Sequence, residues 1–276
     1  MCTRDEVLTF SDPVLFPSVP ITYVIAMEGS HRYEQLLREL RAYRPTRKVV
    51  IVHHKSFSEC ARPTWVTKPS EDLWANNLMI AKRDPESPVL ILEDDVHFLP
   101  TVHDYAEHID KLVANNECEL YSLGAWGGFS FPSSRKDMTV VLGGACQAVL
   151  YSSRGRQRLV RDYGTDASYK AGVVQHISNM LGFKWLHDAE LYYMFHSLTS
   201  LKPCAVQSLP LTENQKEWGN VLINTVFDVT GARDDGTTLF EIHHALGRYV
   251  GGVIPFFVLI FLLIQHAHQH AYSNLA

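Results

Sequence analysis

The chain has 276 residues, 46% of them hydrophobic and 20% charged, which is enough apolar material for one large α/β domain or two small ones. A formal net charge of −5 gives no general attraction to nucleic acid or to an acidic membrane surface, so a polyanion-coating role is excluded and any phosphate must be met by a local device. The five cysteines (Cys2, Cys60, Cys118, Cys146, Cys204) are odd in number, scattered, and without C-x-x-C spacing, which predicts reduced thiols rather than a zinc site or a disulfide framework.

Residues 1–20 read as an N-terminal extension. Arg4, Asp5 and Glu6 precede an apolar stretch broken by Pro13, Pro17 and Pro20, so neither a secretion signal nor a mitochondrial presequence is expected. No Asn-x-Ser/Thr sequon occurs, and the catalytic body is expected on the cytosolic side.

From Ile21 the chain alternates strand and helix. Ile21–Ala26 predicts a strand, Glu28-Gly29-Ser30 a turn, and His31–Tyr43 a helix with Leu36, Leu37 and Leu40 buried and Ser30 as its cap. Lys48–His53 predicts a second strand and Ser70–Lys82, opened by Ser70-Glu71-Asp72, a second helix. A further helix runs from Val102 to Asn115 with Tyr105, Ile109, Leu112 and Val113 on one face. Glu119–Gly124 reads as a strand running into the glycine-rich loop Gly124-Ala125-Trp126-Gly127-Gly128. Val140–Leu142 leads to Gly143-Gly144, Ala148–Tyr151 is another strand, and Ser152-Ser153 opens a helix through Val160. This rhythm predicts a Rossmann-like α/β domain over residues 21–230, its mostly parallel central sheet flanked by helices.

The stretch around which the chain is organised is Val89–Phe98, VLILEDDVHF. Four apolar residues after Pro88 predict a strand buried on both faces, and three carboxylates stand where it ends. If the backbone stays extended, Glu93 and Asp95 point one way and Asp94 the other, which is the spacing of a paired-carboxylate ligand. In open α/β sheets the ligand crevice lies beyond such strand ends. Three adjacent acids raise one another's pKa unless a cation joins them, and all-oxygen donors favour magnesium or manganese. For an isolated Glu-Asp-Asp the alternative is a solvated turn, or a cap for the helix near Thr101; the buried strand in front favours the metal.

Residues 231–248 read as a hinge, from Gly231 to Gly236, and a short amphipathic helix. In residues 249–276 a run of sixteen uncharged residues, Tyr249–Ile264, precedes His266, His268 and His270. Sixteen helical residues span roughly 24 Å, short of a ~30 Å hydrocarbon core, and tilt-free extension to Ala267 or local thinning would close the gap. A C-terminal apolar helix serving as a membrane anchor is expected; a packed helix kinked at Gly251, Gly252 and Pro255 is the alternative.

The order of these pieces resembles a GT-A glycosyltransferase, nearest to glycosyltransferase family 25, the lipopolysaccharide and collagen galactosyltransferase-like enzymes. The resemblance covers Ile21 to Gln215 and is carried by LILEDDV at Leu90–Val96, by GGACQAVLYSSRGRQRL at Gly143–Leu159, and by HDAELYYMF through LKPCAVQ. The chain departs from the family where a Ser-His pair usually opens the helix before the acidic strand: here that helix carries Leu73-Trp74-Ala75-Asn76-Asn77. What the resemblance implies is metal-dependent, inverting transfer of a sugar from a nucleoside-diphosphate donor, with UDP expected, to a hydroxyl on a glycan, protein or lipid. It implies Asp95 as ligand to Mn²⁺ or Mg²⁺, with Glu93 on the metal or the donor's ribose and Asp94 towards the scaffold. His196 is the candidate third ligand, with His187 as alternative. Asp188 is the candidate base, with Glu190 in second place. Arg32, in the turn after the first strand, could meet a phosphate or simply decorate the first helical turn, and Gly143 and Gly144 could let backbone N–H groups approach the donor or simply form a tight turn. Trp126 and Phe129 could stack on an acceptor sugar or cover the core. Two rivals stand beside this reading. A metal-dependent nucleotidyltransferase would use the same acids, although no G-x-x-x-x-G-K-[ST] loop occurs, and a catalytically inactive tail-anchored domain would use the fold only for binding.

Overall fold

The computed structural model describes residues 2–163, apart from residue 68 and residues 125–128, 136–137 and 143–146, together with residues 197–207 and positions 229, 238, 241, 242 and 245. Its strands are β1 (Thr3–Thr9), β2 (Thr22–Met27), β3 (Lys48–His54), β4 (Val89–Glu93), β5 (Val96–Phe98), β6 (Leu120–Ser122), β7 (Phe129–Pro132), β8 (Met138–Leu142), β9 (Ala148–Tyr151), β10 (Ser197–Ser200) and β11 (Ala205–Gln207). The helices are α1 (Tyr33–Tyr43), α2 (Pro69–Ala81), α3 (Val102–Ala114) and α4 (Ser153–Tyr163).

Nine strands form one sheet in the order β1-β3-β2-β4-β9-β6-β10-β8-β7, and β11 and β5 form a two-stranded ribbon. The fold is α/β with a mixed sheet. Three of the eight pairings are parallel, yet six of the nine strands run in one direction, because β9, β8 and β1 are inserted against the rest. The parallel trio β3-β2-β4 is the part that the βαβ rhythm predicts. β1, on which the sequence reading placed no strand, is an edge strand antiparallel to β3 from Thr3↔His54 to Thr9↔Lys48.

Alternation along the trio sorts the core into two layers. Val24, Ala26, Val49, Ile51, Leu90 and Leu92 face α1, whose Leu36, Leu37 and Leu40 are buried against them. Tyr23, Ile25, Val50, Val52, Val89 and Ile91 face the layer of α2, with Trp74 and Leu78. Helices from successive connections therefore cover opposite faces. The reversal of strand order falls between β2 and β4, which makes the carboxyl ends of these two strands the topological switch point.

Two devices hold the second layer. Gly155 in α4 brings the helix so close to the Glu119 carbonyl that a Cβ there would overlap it. One residue on, the fully buried Arg156 donates from Nε to the Ala81 carbonyl (3.0 Å), from Nη2 to Ile80 (2.9 Å) and from Nη1 to Ser87 (3.1 Å), closing the carboxyl end of α2 with a cation.

The cysteines correct the expectation of reduced thiols throughout. Antiparallel pairing of β1 carries Cys2 alongside Lys55, whose N–H donates to the Cys2 carbonyl (3.2 Å), and a short 3-10 turn at Phe57–Glu59 brings Cys60 back to it. Cys2 and Cys60 form a disulfide with Cα atoms 5.7 Å apart. Cys118 and Cys204 are buried free thiols, both pushed up to about 12 by burial. Cys146 lies outside the described residues.

Among the described residues no helix is long and apolar enough to cross a membrane. The apolar run Tyr249–Ile264 lies outside them.

Candidate functional site

β4 delivers the acid cluster to the switch point, as its apolar run predicts, but the backbone does not stay extended through it. The strand ends at Glu93, Asp94 and Asp95 form a turn, and β5 leaves the large sheet to pair with β11 from Phe98↔Ala205 to Val96↔Gln207. Glu93 still follows Val89 and Ile91 on the α2 face, and Asp94 follows Leu90 and Leu92 on the α1 face. Asp95, in the turn, belongs to neither layer. Its Oδ2 accepts from Gln207 Nε2 at 2.8 Å across the ribbon.

Arg32 meets a carboxylate of its own chain. The turn after β2, with Gly29 at φ +75°, carries the chain into α1, and Arg32 stands at the helix N-cap with its backbone N–H on Ser30 Oγ (3.3 Å). Ser30 is thus not the cap residue itself, although its hydroxyl serves the turn. From that position Arg32 Nη2, on a partly buried side chain, reaches the buried Asp94 Oδ1 at 2.5 Å. Burial works against the Arg32 charge, but the carboxylates beside it, Asp94 first, then Asp95 and Glu93, hold it above its ordinary range. Asp94 fixes the arginine across the switch point through Oδ1.

Burial, then the neighbouring Asp94 charge, push the Asp95 carboxyl up to about 6 against the opposing pull of Arg32 and Gln207. Asp95 Oδ1 and Asp94 Oδ2 are buried without a hydrogen-bond partner among the described residues. Two such oxygens fit the hard-donor part of a magnesium or manganese shell, whose remaining positions water and phosphate usually fill. Among the described residues no group of three His, Cys, Asp or Glu side chains is arranged to hold a metal ion. The expected third ligand, His196, its alternative His187, the base candidates Asp188 and Glu190, the glycines Gly143 and Gly144, and Trp126 lie outside the described residues; Phe129 opens β7.

The structure also brings to this edge residues to which the sequence reading gave no role. Gln147 is buried, its carbonyl takes the Glu93 N–H (2.9 Å) and its Nε2 donates to the Gly124 carbonyl. Gly124 packs so tightly on the Ala205 carbonyl that a Cβ could not be accommodated, which gives the first glycine of the predicted loop a packing reason. Gln207 closes the quoted LKPCAVQ segment. At the end of β3, His54, Asp72 of α2 and Arg62 of the intervening loop form a second polar group, with Arg62 Nε 2.7 Å from Asp72 Oδ1 and His54 Nδ1 3.7 Å from Asp72 Oδ2. Burial raises the Asp72 carboxyl, opposed by Arg62, and lowers the His54 imidazole, opposed by Asp72. Only the Asp72 helix-start signal was visible in sequence; the partners come from separate elements.

Fold and site together define an α/β domain with a mixed sheet, at whose switch point the buried carboxylates of Asp94 and Asp95 each keep one oxygen without a partner among the described residues. Comparison with known proteins gives no family by sequence: no protein-family model and no curated protein matches the chain. Among solved structures it is similar to A197 from STIV, with a TM-score of 0.34 and 12% identity over 66% of this chain and 81% of that one. It is also similar to a glycosyltransferase involved in glycosylation of the major capsid of PBCV-1, with a TM-score of 0.33 and 8% identity over 72% of this chain and 98% of the other. A third similarity, to the glycosyltransferase GlyE of Streptococcus pneumoniae TIGR4, has a TM-score of 0.25 and 14% identity and covers 76% of this chain and half of that protein. Likeness at this level leaves the fold to be argued from its own strands.

Proposed function

We propose that the chain is a metal-dependent, inverting glycosyltransferase that moves a sugar from a UDP-sugar to a hydroxyl on a glycan, protein or lipid acceptor. The observation that carries this reading is the acid cluster at the switch point, with Asp95 Oδ1 and Asp94 Oδ2 buried and without a partner among the described residues. The LILEDDV resemblance adds the reaction class. Asp95 and Glu93, with His196, would hold Mn²⁺ or Mg²⁺, which when bound supplies Lewis-acid stabilisation of the departing diphosphate. Arg32, fixed by Asp94, adds a positive charge at the same edge, and Gly143 and Gly144 offer N–H groups to the donor. Asp188, or failing it Glu190, takes the proton of the acceptor hydroxyl as its oxygen bonds to the anomeric carbon and the bond to the diphosphate oxygen breaks. A single displacement of this kind inverts the anomeric centre.

The test is calorimetric titration of UDP, with GDP for comparison, into the full chain with Mn²⁺ and then with EDTA. Binding is expected to require the metal, to be lost in Asp95→Asn, and to survive in Asp188→Asn, which loses transfer. Absence of nucleotide binding by the folded, metal-supplied protein would remove this reading. A second reading, an inactive binding domain of the same fold, has one observation in its favour: Arg32 already pairs with one Asp94 oxygen, Oδ1, within the protein. Metal-dependent UDP binding without donor hydrolysis or transfer would select it.

For topology we propose attachment to a membrane through residues 249–276 with the body on the cytosolic side. The Cys2–Cys60 disulfide favours an oxidising compartment instead. Protease protection in sealed vesicles, read together with the thiol state of Cys2 and Cys60, decides between them.

A further inference from the structure

The α2 face of the strand ends carries a polar group that the proposed transfer does not use. Along β3, Val50 and Val52 lie in the α2 layer and His54 follows them, whereas His53 turns to the other face, where Glu6 Oε2 meets its Nε2 at 2.9 Å and Tyr33 packs on its ring. Glu93 is on the α2 face of β4 by the same alternation. The registers Met27↔His54 and Ile25↔Glu93 set His54 two strands across and two residues further along from Glu93. That separation is roughly 12 Å between Cα atoms, at about 4.8 Å per strand and about 3.3 Å per residue. His54 and the acid cluster thus stand on two sides of one strand end, that of β2.

The imidazole is oriented. Nδ1 lies 3.3 Å from the Lys55 carbonyl oxygen and 3.7 Å from Asp72 Oδ2, both of them acceptors only, so Nδ1 carries the ring proton and Nε2 the lone pair. Arg62 braces the arrangement, with Nε 2.7 Å from Asp72 Oδ1 and Nη2 donating to the same Lys55 carbonyl at 3.2 Å. The Cys2–Cys60 disulfide ties down the loop that brings Arg62 there. The charged groups that act on the ring are Asp72 from α2, Arg62 from the loop and, through space, Asp94 beyond the end of β4. Burial outweighs the two acids and keeps the ring neutral at pH 7. Nε2 has no partner among the described residues. A lone pair backed by a carboxylate repels phosphate and carboxylate oxygens and accepts a hydrogen bond from a hydroxyl.

We infer that His54 is a ligand-contact residue of the crevice, its Nε2 accepting a hydrogen bond from a hydroxyl of the nucleotide-sugar, with Asp72 and Arg62 as positioning residues. This rests on the nucleotide-sugar reading above. The hydroxyl has two sources, the ribose and the transferred sugar, and the probes separate them.

The experiment titrates UDP, 2′,3′-dideoxy-UDP and UDP-galactose, each with Mn²⁺, into the full chain and its His54→Asn and His54→Gln variants. Asn supplies a donor in place of Nδ1 and removes the Nε2 acceptor; Gln puts an amide oxygen near the place of Nε2. For a ribose contact, His54→Asn binds UDP roughly five- to tenfold more weakly, the loss of about one hydrogen bond. The loss is absent with the dideoxy compound and is partly restored by Gln. For a contact with the transferred sugar, the same weakening appears with UDP-galactose alone. Equal affinities of wild type and variants for all three ligands would overturn the inference while leaving the nucleotide-sugar reading standing, and so would an equal loss for UDP and dideoxy-UDP. If wild type binds none of them, the reading and this inference fall together. Should His54→Asn not fold, ¹⁵N NMR of the wild-type ring decides: an Nδ1–H tautomer whose Nε2 resonance moves on addition of nucleotide supports the contact, and an unmoved Nε2 resonance refutes it.

Discussion

Asp95→Asn is expected to make the protein more stable at neutral pH, even as it removes the proposed metal ligand. With the Asp95 carboxyl pushed up to about 6 from an ordinary 3.8, the folded state holds this proton more tightly than the unfolded chain does. The sign follows from linkage: the contribution is fully favourable below about pH 4 and is lost as pH rises through about 6. At about 1.4 kcal/mol per pH unit, the carboxylate costs the fold about 3 kcal/mol at pH 7 to 8. Asn keeps an acceptor for Gln207 Nε2 but places an amide where Oδ1 has no partner, a cost of about 1 kcal/mol, so the net gain is about 2 kcal/mol. Urea unfolding of both proteins in EDTA at pH 4, 6 and 8 measures it. The quantity to plot is the difference between the two, which cancels groups of opposite sign such as Glu6, whose carboxyl is lowered by hydrogen bonds from Tyr33 and His53. The variant should gain about 2 kcal/mol at pH 8 and differ by no more than about 1 kcal/mol at pH 4. A variant less stable than wild type at pH 8 would show that Asp95 is well compensated within the protein, and the argument that it awaits a cation would lose its basis.

Arg156→Met removes three hydrogen bonds to the carbonyls of Ile80, Ala81 and Ser87 and leaves the end of α2 uncapped in the core, so a loss of about 3 kcal/mol or more is expected. In urea that is a midpoint shift of about 1 to 2 M, and a shift too small to measure would mean that the buried charge and its bonds cancel. Gly155→Ala drives a methyl group towards the Glu119 carbonyl and should cost about 1 to 3 kcal/mol by the same measurement. Cys60→Ser opens a bridge spanning 58 residues and should cost about 2 to 4 kcal/mol, lowering the thermal midpoint by about 5 to 15 °C. Added dithiothreitol should erase the difference from wild type, and an equal midpoint without reductant would argue that the bridge does not form.

What the sequence revealed and what it hid divide along the range of the interactions. α1, α3 and α4 announce themselves by the spacing of their apolar residues, β2, β3 and β4 by continuous apolar runs buried on both faces, and α2 by its acidic opening, all of them signals carried within a few residues. β1 does not: Thr3–Thr9 is a polar edge strand, and only its pairing with β3 makes it a strand at all. The antiparallel insertion of β9 between β4 and β6 likewise leaves no local mark, so the sheet is more mixed than the βαβ rhythm predicts. At the site the acids and their strand were legible, but their partners were not. Gln207 stands 112 residues from Asp95 and Arg32 stands 62 from Asp94, and nothing in the spacing of such residues encodes the contact. The disulfide escaped for the same reason.

The geometry gives the three adjacent acids different work. Asp94 is paired through Oδ1 with Arg32 and fixes the turn that enters α1, while its Oδ2 has no partner among the described residues. Glu93, on the α2 face, looks towards the layer that also holds His54, Asp72 and Arg62. Asp95, in the turn, has among the described residues a hydrogen bond from Gln207 on Oδ2 and no partner on Oδ1, and its pKa is raised. A purely structural acid cluster would relax such a group by exposing it or by pairing it with a second cation. This one is kept buried at the point where the strand order reverses, with one oxygen unpartnered among the described residues, which is the arrangement that the proposed cation site would need.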